Sequence, residues 1–180
     1  MNLPNSKTSI LNLYISDGHN FIGHHGRPPG NHQTIEKEEI QCLAGRGLLG
    51  DRFLDHPRND KSHITFFEYE VYEELCQKLQ RWDLPPSVFR RNVLIRGVSL
   101  NHWIGKEFEI QGIRFEGVEE CKPCYWMDKA FGKGTEDQMK GKGGLRARIL
   151  TDGLLRRTPH NSMKSPPLPS DPDSKTSSPT

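Results

Sequence analysis

The chain has 180 residues, of which 33% are hydrophobic and 27% charged, with a formal net charge of +2. This length supports one domain with a modest core, and the nearly balanced charge argues against nucleic acid as a partner. No stretch of about 18 apolar residues predicts a membrane span, and the polar start lacks the features of a signal peptide, so we expect a cytoplasmic protein that does not bind membranes.

The first third of the chain predicts two strands around a loop rich in glycine and histidine. Ser9–Ile15 is short and apolar and ends in a Ser-Asp-Gly turn, which is typical of a strand. Residues 21–31 form the loop, whose adjacent His24 and His25 are either exposed or a weak candidate for metal binding. Residues 34–43 are interpreted as one half-exposed strand.

The middle of the chain predicts a strand that leads into the longest helix. Residues 63–67 form the strand, and the helix follows because apolar residues recur every four positions, with Thr65 and Glu68 in a capping-box pattern. We expect this helix to end near Arg81. A strand at 92–95 and one helical turn at 100–104 come next.

The last third predicts two hairpins with a short helix between them. The first hairpin joins 107–110 to 113–116, and the second joins 148–151 to 154–155 through Asp152-Gly153. The helix covers 125–131 and is followed by the glycine-rich run 141–144. Many short strands with one long helix predict a mainly β (α+β) fold with a few attached helices.

The domain is expected to span residues 1–157. Residues 158–180 contain proline and serine in place of aromatic residues, so they cannot bury enough apolar surface to offset the entropy of ordering. We therefore predict that 158–180 is a disordered tail.

Cys121-Lys122-Pro123-Cys124 is the sharpest chemical motif. A structural zinc site needs a second Cys or His pair, and none stands at a matching spacing. A redox dithiol is the second interpretation, and it is weakened by hairpins rather than a βαβ unit on either side of the motif. Both cysteines could be inert apolar residues, which fits Cys121 better. Cys124 could instead bind a soft metal or carry a persulfide.

Basic residues beside the motif suggest an anionic ligand. Residues 131–157 contain seven basic and three acidic side chains. Arg91 and Asn92 precede a strand, and Arg146 and Arg148 follow the glycines, so all four are candidates for holding a phosphate. No P-loop frame is present, and the alternatives are a solvated basic face, a salt-bridged corner and a flexible turn.

Two further positions are candidates for the wall of a cleft. Asp51 lies in a Gly-Asp-Arg turn, where it could simply accept hydrogen bonds from the backbone. Thr65 and His63 alternate on one strand and so point to the same face. Such a pair is more often a satisfied polar spot than a ligand site.

The ordered set of motifs resembles the MOSC family, named for the C-terminal domain of molybdenum cofactor sulfurase, and in particular its standalone bacterial-type members. The resemblance covers roughly residues 8–156 and rests on Gly45-Arg46-Gly47-x-x-Gly50-Asp51-Arg52-Phe53, His63-Ile64-Thr65-Phe66-Phe67, Arg91-Asn92, Gly97-Val98-x-Leu100, Ile104-Gly105, Cys121-Lys122-Pro123-Cys124 and Gly143-Gly144-Leu145-Arg146-Ala147-Arg148.

The resemblance implies a β-barrel whose cleft binds the molybdenum cofactor (molybdopterin) or handles its sulfur. The family's functional cysteine matches Cys124, as the catalytic residue and molybdenum or sulfur ligand. Arg91, Asn92, Arg146 and Arg148 would hold the pterin phosphate, and Thr65 and Asp51 would shape the cleft. The implied activities are oxidoreduction of small N-hydroxylated compounds and sulfur transfer. An electron-transfer protein or a cysteine desulfurase would be the partner, and pyridoxal phosphate would belong to that partner.

The sequence departs from the family pattern at two places. His63 stands where glutamine is usual, and Arg156-Arg157-Thr158-Pro159 replaces the usual Gly-Asp turn and closing strand. A barrel open at that edge is expected. Two alternatives therefore stay open: a metal-free thiol or persulfide sulfur carrier, and a non-catalytic β-barrel interaction module that has lost the cofactor.

Overall fold

A computed structural model describes residues 8–57 and 61–159. The strands are β1 (Ser9–Ile15), β2 (Ile35–Lys37), β3 (Glu39–Leu43), β4 (Gly47–Leu48), β5 (Ile64–Glu68), β6 (Val93–Arg96), β7 (Glu107–Ile110), β8 (Ile113–Glu120), β9 (Leu145–Ile149) and β10 (Gly153–Arg156). The helices are α1 (Tyr69–Leu79), α2 (Tyr125–Phe131) and α3 (Thr135–Met139), with single 3-10 turns at Pro86–Phe89 and Leu100–Trp103.

The strands form two sheets. Seven strands pair in the order β2-β1-β6-β5-β9-β8-β7, and three pair in the order β10-β3-β4. All pairs are antiparallel except β5 with β6. The predicted mainly β fold with a few helices is confirmed. Within the described residues the two hydrogen-bonding ladders remain separate, so the strands do not close into a single ring.

The central strands separate two apolar clusters because successive side chains of a strand point to opposite faces. Phe66 belongs to the cluster between the sheets, whereas its neighbour Phe67 packs with the helices. Val93 and Leu94 of β6 divide in the same way. Burial on both faces explains why β5 and β6 are nearly continuous apolar runs.

Helix α1 begins at Tyr69, but the predicted capping box is absent. Glu68 is the N-cap residue without a side-chain cap bond, because its carboxylate accepts a hydrogen bond from the Leu100 amide at 2.7 Å. Thr65 lies within β5 and bonds to Asn92. The predicted end is confirmed, since the left-handed Gln80 terminates the helix at Leu79. In the described chain, no helix has the length and apolar character that crossing a bilayer requires.

Two predicted strand arrangements are wrong. The segment 34–43 is interrupted at Glu38, so that β2 joins the large sheet and β3 the small one. The second predicted hairpin does not form, because β10 pairs with β3 instead of β9. The Asp152 carboxylate accepts a hydrogen bond from the Ala44 amide at 2.7 Å, which ties this turn to the small sheet. Helix α3 was not predicted.

The end of the described chain remains attached to β1. The Thr158 amide donates to the Ile10 carbonyl at 2.9 Å, and the Ile10 amide donates to the Thr158 hydroxyl at 3.0 Å. Thr158, the first residue of the predicted tail, therefore makes two hydrogen bonds with β1. Residues 160–180 of the tail lie outside the described residues.

Candidate functional site

A cavity of about 150 Å³ opens where the loop after β1, the start of β6 and the segment before α2 meet. We call it the arginine cavity because four arginines line it. Its wall consists of His19, Asn20, Phe21, Ile22, Arg52, Phe53, Thr65, Arg90, Arg91, Cys121, Lys122, Cys124, Met127 and Arg146. Five of these described lining residues are basic and none is acidic, so the cavity favours an anion.

The two cysteines of the motif have different environments. Cys124 is exposed, in extended backbone directly before α2. Cys121 is buried, and burial raises the pKa of its thiol. Because thiol chemistry requires an accessible thiolate, Cys124 can react at the cavity while Cys121 serves as a small apolar residue.

The glycine-rich run 141–144 packs against residues 121–124, which we call the cysteine segment. A Cβ on Gly143 would lie 2.2 Å from the Cys121 carbonyl oxygen, and one on Gly144 would lie 2.3 Å from the Phe66 carbonyl oxygen. The Gly143 amide donates to the Glu120 carboxylate, and the Lys142 ammonium pairs with Glu74 at 2.6 Å. These donors are therefore engaged within the protein and not directed at a phosphate.

Arg91 connects the glycine run to the cavity. Its guanidinium donates to the carbonyls of Gly143 at 3.2 Å, Phe89 at 2.9 Å and Cys121 at 3.3 Å. A guanidinium carries five N–H groups, so these bonds leave some of them for a ligand. Arg91 is thus both a brace for the cysteine segment and a wall of the cavity.

Asn92, Thr65 and Asp51 form a buried hydrogen-bond network. The Asn92 side-chain oxygen accepts from the Thr65 amide at 3.0 Å and from its hydroxyl at 2.9 Å. The Asn92 side-chain nitrogen donates to Tyr14 and, at 3.3 Å, to Asp51. Thr65 lines the cavity, whereas Asn92 and Asp51 are absent from its wall. The latter two support the site from within the fold.

The structure separates the two candidate arginines of β9. Arg146 lines the cavity, and its guanidinium lies 3.7 Å from the Glu119 carboxylate. Arg148 pairs with Glu116 at 2.9 Å and is not part of the cavity wall. The four candidates brought together at the cavity are therefore Cys124, Thr65, Arg91 and Arg146.

Several residues of the wall were not among the predicted site residues, and three of them can carry a positive charge in the part of the wall around the loop after β1. Arg52 is nearly buried, and burial lowers the pKa of its guanidinium while Asp51 raises it. Burial, followed by the charge of Arg52, lowers the pKa of Arg90 to about 10. His19 is the third. The available signal was the basic residue directly beside each chosen candidate, Arg52 after Asp51 and Arg90 before Arg91.

The basic side chains of the cavity suit an anionic group, and the Cys124 thiol suits a soft metal or a sulfur atom attached to that group. In the portions of the chain described, no three His, Cys, Asp or Glu side chains are grouped to hold a metal ion, and Cys124 is the exposed thiol of the cavity wall. The cavity is smaller than the pockets of about 300–1,000 Å³ that enclose drug-sized ligands. A phosphate-sized group is small enough for this volume, and Cys124 lines the same cavity.

Comparisons with known proteins agree with this architecture. The protein-family model of the MOSC domain matches residues 50–158. Among solved structures, the YuaD protein from Bacillus subtilis aligns with a TM-score of 0.63 at 15% identity, covering 83% of this chain and 92% of that one.

YiiM from Escherichia coli aligns with a TM-score of 0.57 at 17% identity over 84% of this chain and 66% of its own. YiiM from Geobacillus stearothermophilus gives a TM-score of 0.60 at 12% identity over 83% of this chain and 71% of its own. No curated protein matches the chain significantly. At these identities the structural likeness establishes the fold.

Proposed function

The chain belongs to the MOSC domain family, and from this premise we propose that the arginine cavity binds the phosphate end of the molybdenum cofactor while Cys124 is the molybdenum or sulfur ligand. The observation that carries the proposal is the exposed Cys124 thiol on the wall of a cavity with five basic residues and, among its described residues, no carboxylate.

Each side chain has a distinct part in this proposal. Arg91 and Arg146 donate to the phosphate, because guanidinium groups bind phosphate oxygens in pairs. Thr65 also lines the cavity, and its hydroxyl donates to the Asn92 side-chain oxygen. Cys124 presents its sulfur at the mouth, where a thiolate suits a soft metal. When bound, the cofactor would supply two-electron redox chemistry at the metal.

The reaction we propose is the reduction of small N-hydroxylated compounds or the transfer of cofactor sulfur. Both reactions need a partner, an electron-transfer protein for reduction or a cysteine desulfurase as the sulfur source. The open position of Cys124 supports either partner, because an exposed sulfur can be reached from outside the cavity. A pyridoxal phosphate group would belong to the desulfurase.

A metal-free persulfide carrier is the second candidate. It is favoured by the single accessible thiol, since a persulfide requires one reactive sulfur and no further ligands. A dithiol redox protein is less well supported, because burial raises the pKa of the Cys121 thiol and so disfavours its reactive thiolate.

A matched pair of arginine variants tests the cofactor proposal. Arg146 and Arg148 lie on one strand, and each faces a glutamate of β8 with a similar side-chain exposure of 37% and 38%, but only Arg146 lines the cavity. A charge-assisted contact contributes about 1.5–3 kcal/mol, so Arg146→Ala should weaken cofactor binding roughly ten- to a hundredfold. Arg148→Ala should behave like the parent.

The measurement is the pterin and molybdenum content of protein purified from a molybdenum-competent host and then dialysed. Equal losses of pterin and molybdenum in the two variants would mean that cofactor content depends on the salt bridges of β9 and not on the lining of the cavity. A parent protein without pterin or molybdenum, but with a labelled persulfide on Cys124, would favour the metal-free carrier. A parent with neither would favour the interaction module.

A further inference from the structure

His19 lines the arginine cavity, and its imidazole contacts aromatic rings without hydrogen bonding to the described residues. Its ring makes edge contacts with Phe53, at 4.9 Å between centroids, and with His56, at 6.0 Å. No hydrogen bond joins either ring nitrogen to any of the residues that the structure describes. A ring nitrogen in a polar cavity without a protein partner is available to a ligand.

The backbone on both sides of His19 is fixed. The Gly18 carbonyl accepts from the Arg90 guanidinium at 2.7 Å. The Asn20 side chain bonds twice to the backbone of His32, at 2.8 Å each. Arg90 also donates to the His32 carbonyl at 3.0 Å, so one buried arginine clamps both ends of this loop. His19 is therefore held in place rather than carried on a free loop.

The charged groups that face the imidazole are Arg52, His56, Asp51 and Arg90. Burial lowers the pKa of His19, and the next largest effect is the repulsion from Arg52. Both effects favour the neutral ring. An anion beside Arg52 would cancel part of this repulsion and favour the protonated ring.

We propose that His19 becomes a proton donor to the ligand of the arginine cavity: an anionic ligand bound beside Arg52 draws a proton from solvent onto the free ring nitrogen, and the resulting imidazolium donates a hydrogen bond to an oxygen atom of the ligand. The proposal rests on the proposed function in that the ligand is an anion, and it adds a residue that takes up a proton when the ligand binds. No redox partner is needed for this step.

Calorimetric titration with sulfate tests the proposal, because sulfate remains a dianion between pH 6 and 8. Titrations of the full chain in two buffers of different ionisation enthalpy give the number of protons taken up for each sulfate bound. The variants are His19→Gln and His19→Asn, which keep polar groups but cannot take up the proton. His56→Gln is the matched control on the neighbouring imidazole.

The parent and His56→Gln should take up a fraction of a proton per sulfate, more at pH 6 than at pH 8. Both His19 variants should bind sulfate with no uptake. In the parent, sulfate should also raise the titration midpoint of one histidine ring resonance. Uptake that persists in the His19 variants would overturn the proton-donor role while leaving the anion site intact. Absence of sulfate binding to the parent would overturn the anion cavity itself, and His19 with it.

Discussion

At the scale of single residues, the cavity depends on side chains whose environments differ sharply over short distances. Cys121 and Cys124 are three residues apart, yet one thiol is buried and the other exposed. Arg146 and Arg148 are two residues apart, and only the first reaches the cavity. The chemistry proposed for this chain follows from these differences more than from the residue types themselves.

His63 should make the stability of the fold depend on pH. Its Nδ1 accepts a hydrogen bond from the Ile149 amide at 3.0 Å. Burial, followed by the charge of Arg148, lowers the pKa of His63 below 6.5. The unfolded chain therefore binds the proton more readily, and the stability due to neutral His63 is present above pH 6.5 and is lost as pH falls through the folded-state pKa.

His63→Gln should reduce this acid sensitivity. A glutamine side-chain oxygen can still accept from the Ile149 amide, but it does not titrate. We expect the loss of unfolding free energy between pH 7.5 and pH 5 to be smaller in His63→Gln than in the parent, measured by urea denaturation. His102→Gln, at an exposed histidine, is the control. An unchanged pH dependence in His63→Gln would show that His63 does not titrate on unfolding.

At the scale of elements, the glycine run 141–144 positions the cysteine segment. Gly143 packs against the Cys121 carbonyl, and the Cys121 amide donates to the Gly144 carbonyl at 2.8 Å. The turn and the motif are therefore one unit, although about twenty residues separate them in the sequence. This unit holds the segment that carries Cys124, which lines the cavity.

Gly143→Ala should disturb this unit. The added Cβ would overlap the Cys121 carbonyl oxygen, and forced overpacking of this kind costs about 1–3 kcal/mol of unfolding free energy. Gly141→Ala is the control, because its Cβ meets open space and its cost is the strain of a φ of +77°. Only Gly143→Ala should also change the rate at which a thiol reagent modifies Cys124. Equal rates in the two variants would contradict the positioning role.

The elements with strong local patterns could be predicted from the sequence. The hairpin around Gln111-Gly112 forms as expected, because its alternation and turn residues are local. The β10 strand was placed in a hairpin with β9 on similar local grounds, but it pairs with β3, more than a hundred residues away. Local patterns specify a strand without specifying its partner.

The candidate site was predictable to a similar extent. Cys124, Arg91, Arg146 and Thr65 were found by motif and do line the cavity. His19 was not predicted because its placement depends on contacts across the sequence, such as the bond from Arg90 to the Gly18 carbonyl. Nothing in the immediate sequence of the loop indicates that Arg90 clamps it.

At the scale of the whole molecule, charge is distributed unevenly. The chain carries a formal net charge of only +2, yet the cavity wall contains five basic residues. Among the described residues, surface arginines such as Arg46 and Arg157 pair with nearby carboxylates. Basic residues cluster at the cavity wall, where Arg52 and Arg146 also have the carboxylate neighbours Asp51 and Glu119.

The boundary of the domain gives a prediction for the whole chain. We predict that removal of residues 160–180, which are rich in proline and serine, leaves the melting temperature nearly unchanged. Removal of 158–180 also deletes the two Thr158 bonds to Ile10 and should cost about 1–3 kcal/mol. Thermal melting of the two truncated chains and the parent makes the comparison. A fall of several degrees in the shorter deletion would show that 160–180 belongs to the domain.

Cys124 alone should perform the thiol chemistry of the cavity, and the most direct measurement compares Cys124→Ser with Cys121→Ser. Bound molybdenum and transferable persulfide are quantified on both variants and the parent, with thermal melting as the check on folding. Cys124→Ser should fold and lose the bound metal or sulfur, because a hydroxyl is a poor ligand for a soft metal. Cys121→Ser should retain both. Equal loss from the two substitutions, or loss from neither, would contradict the claim.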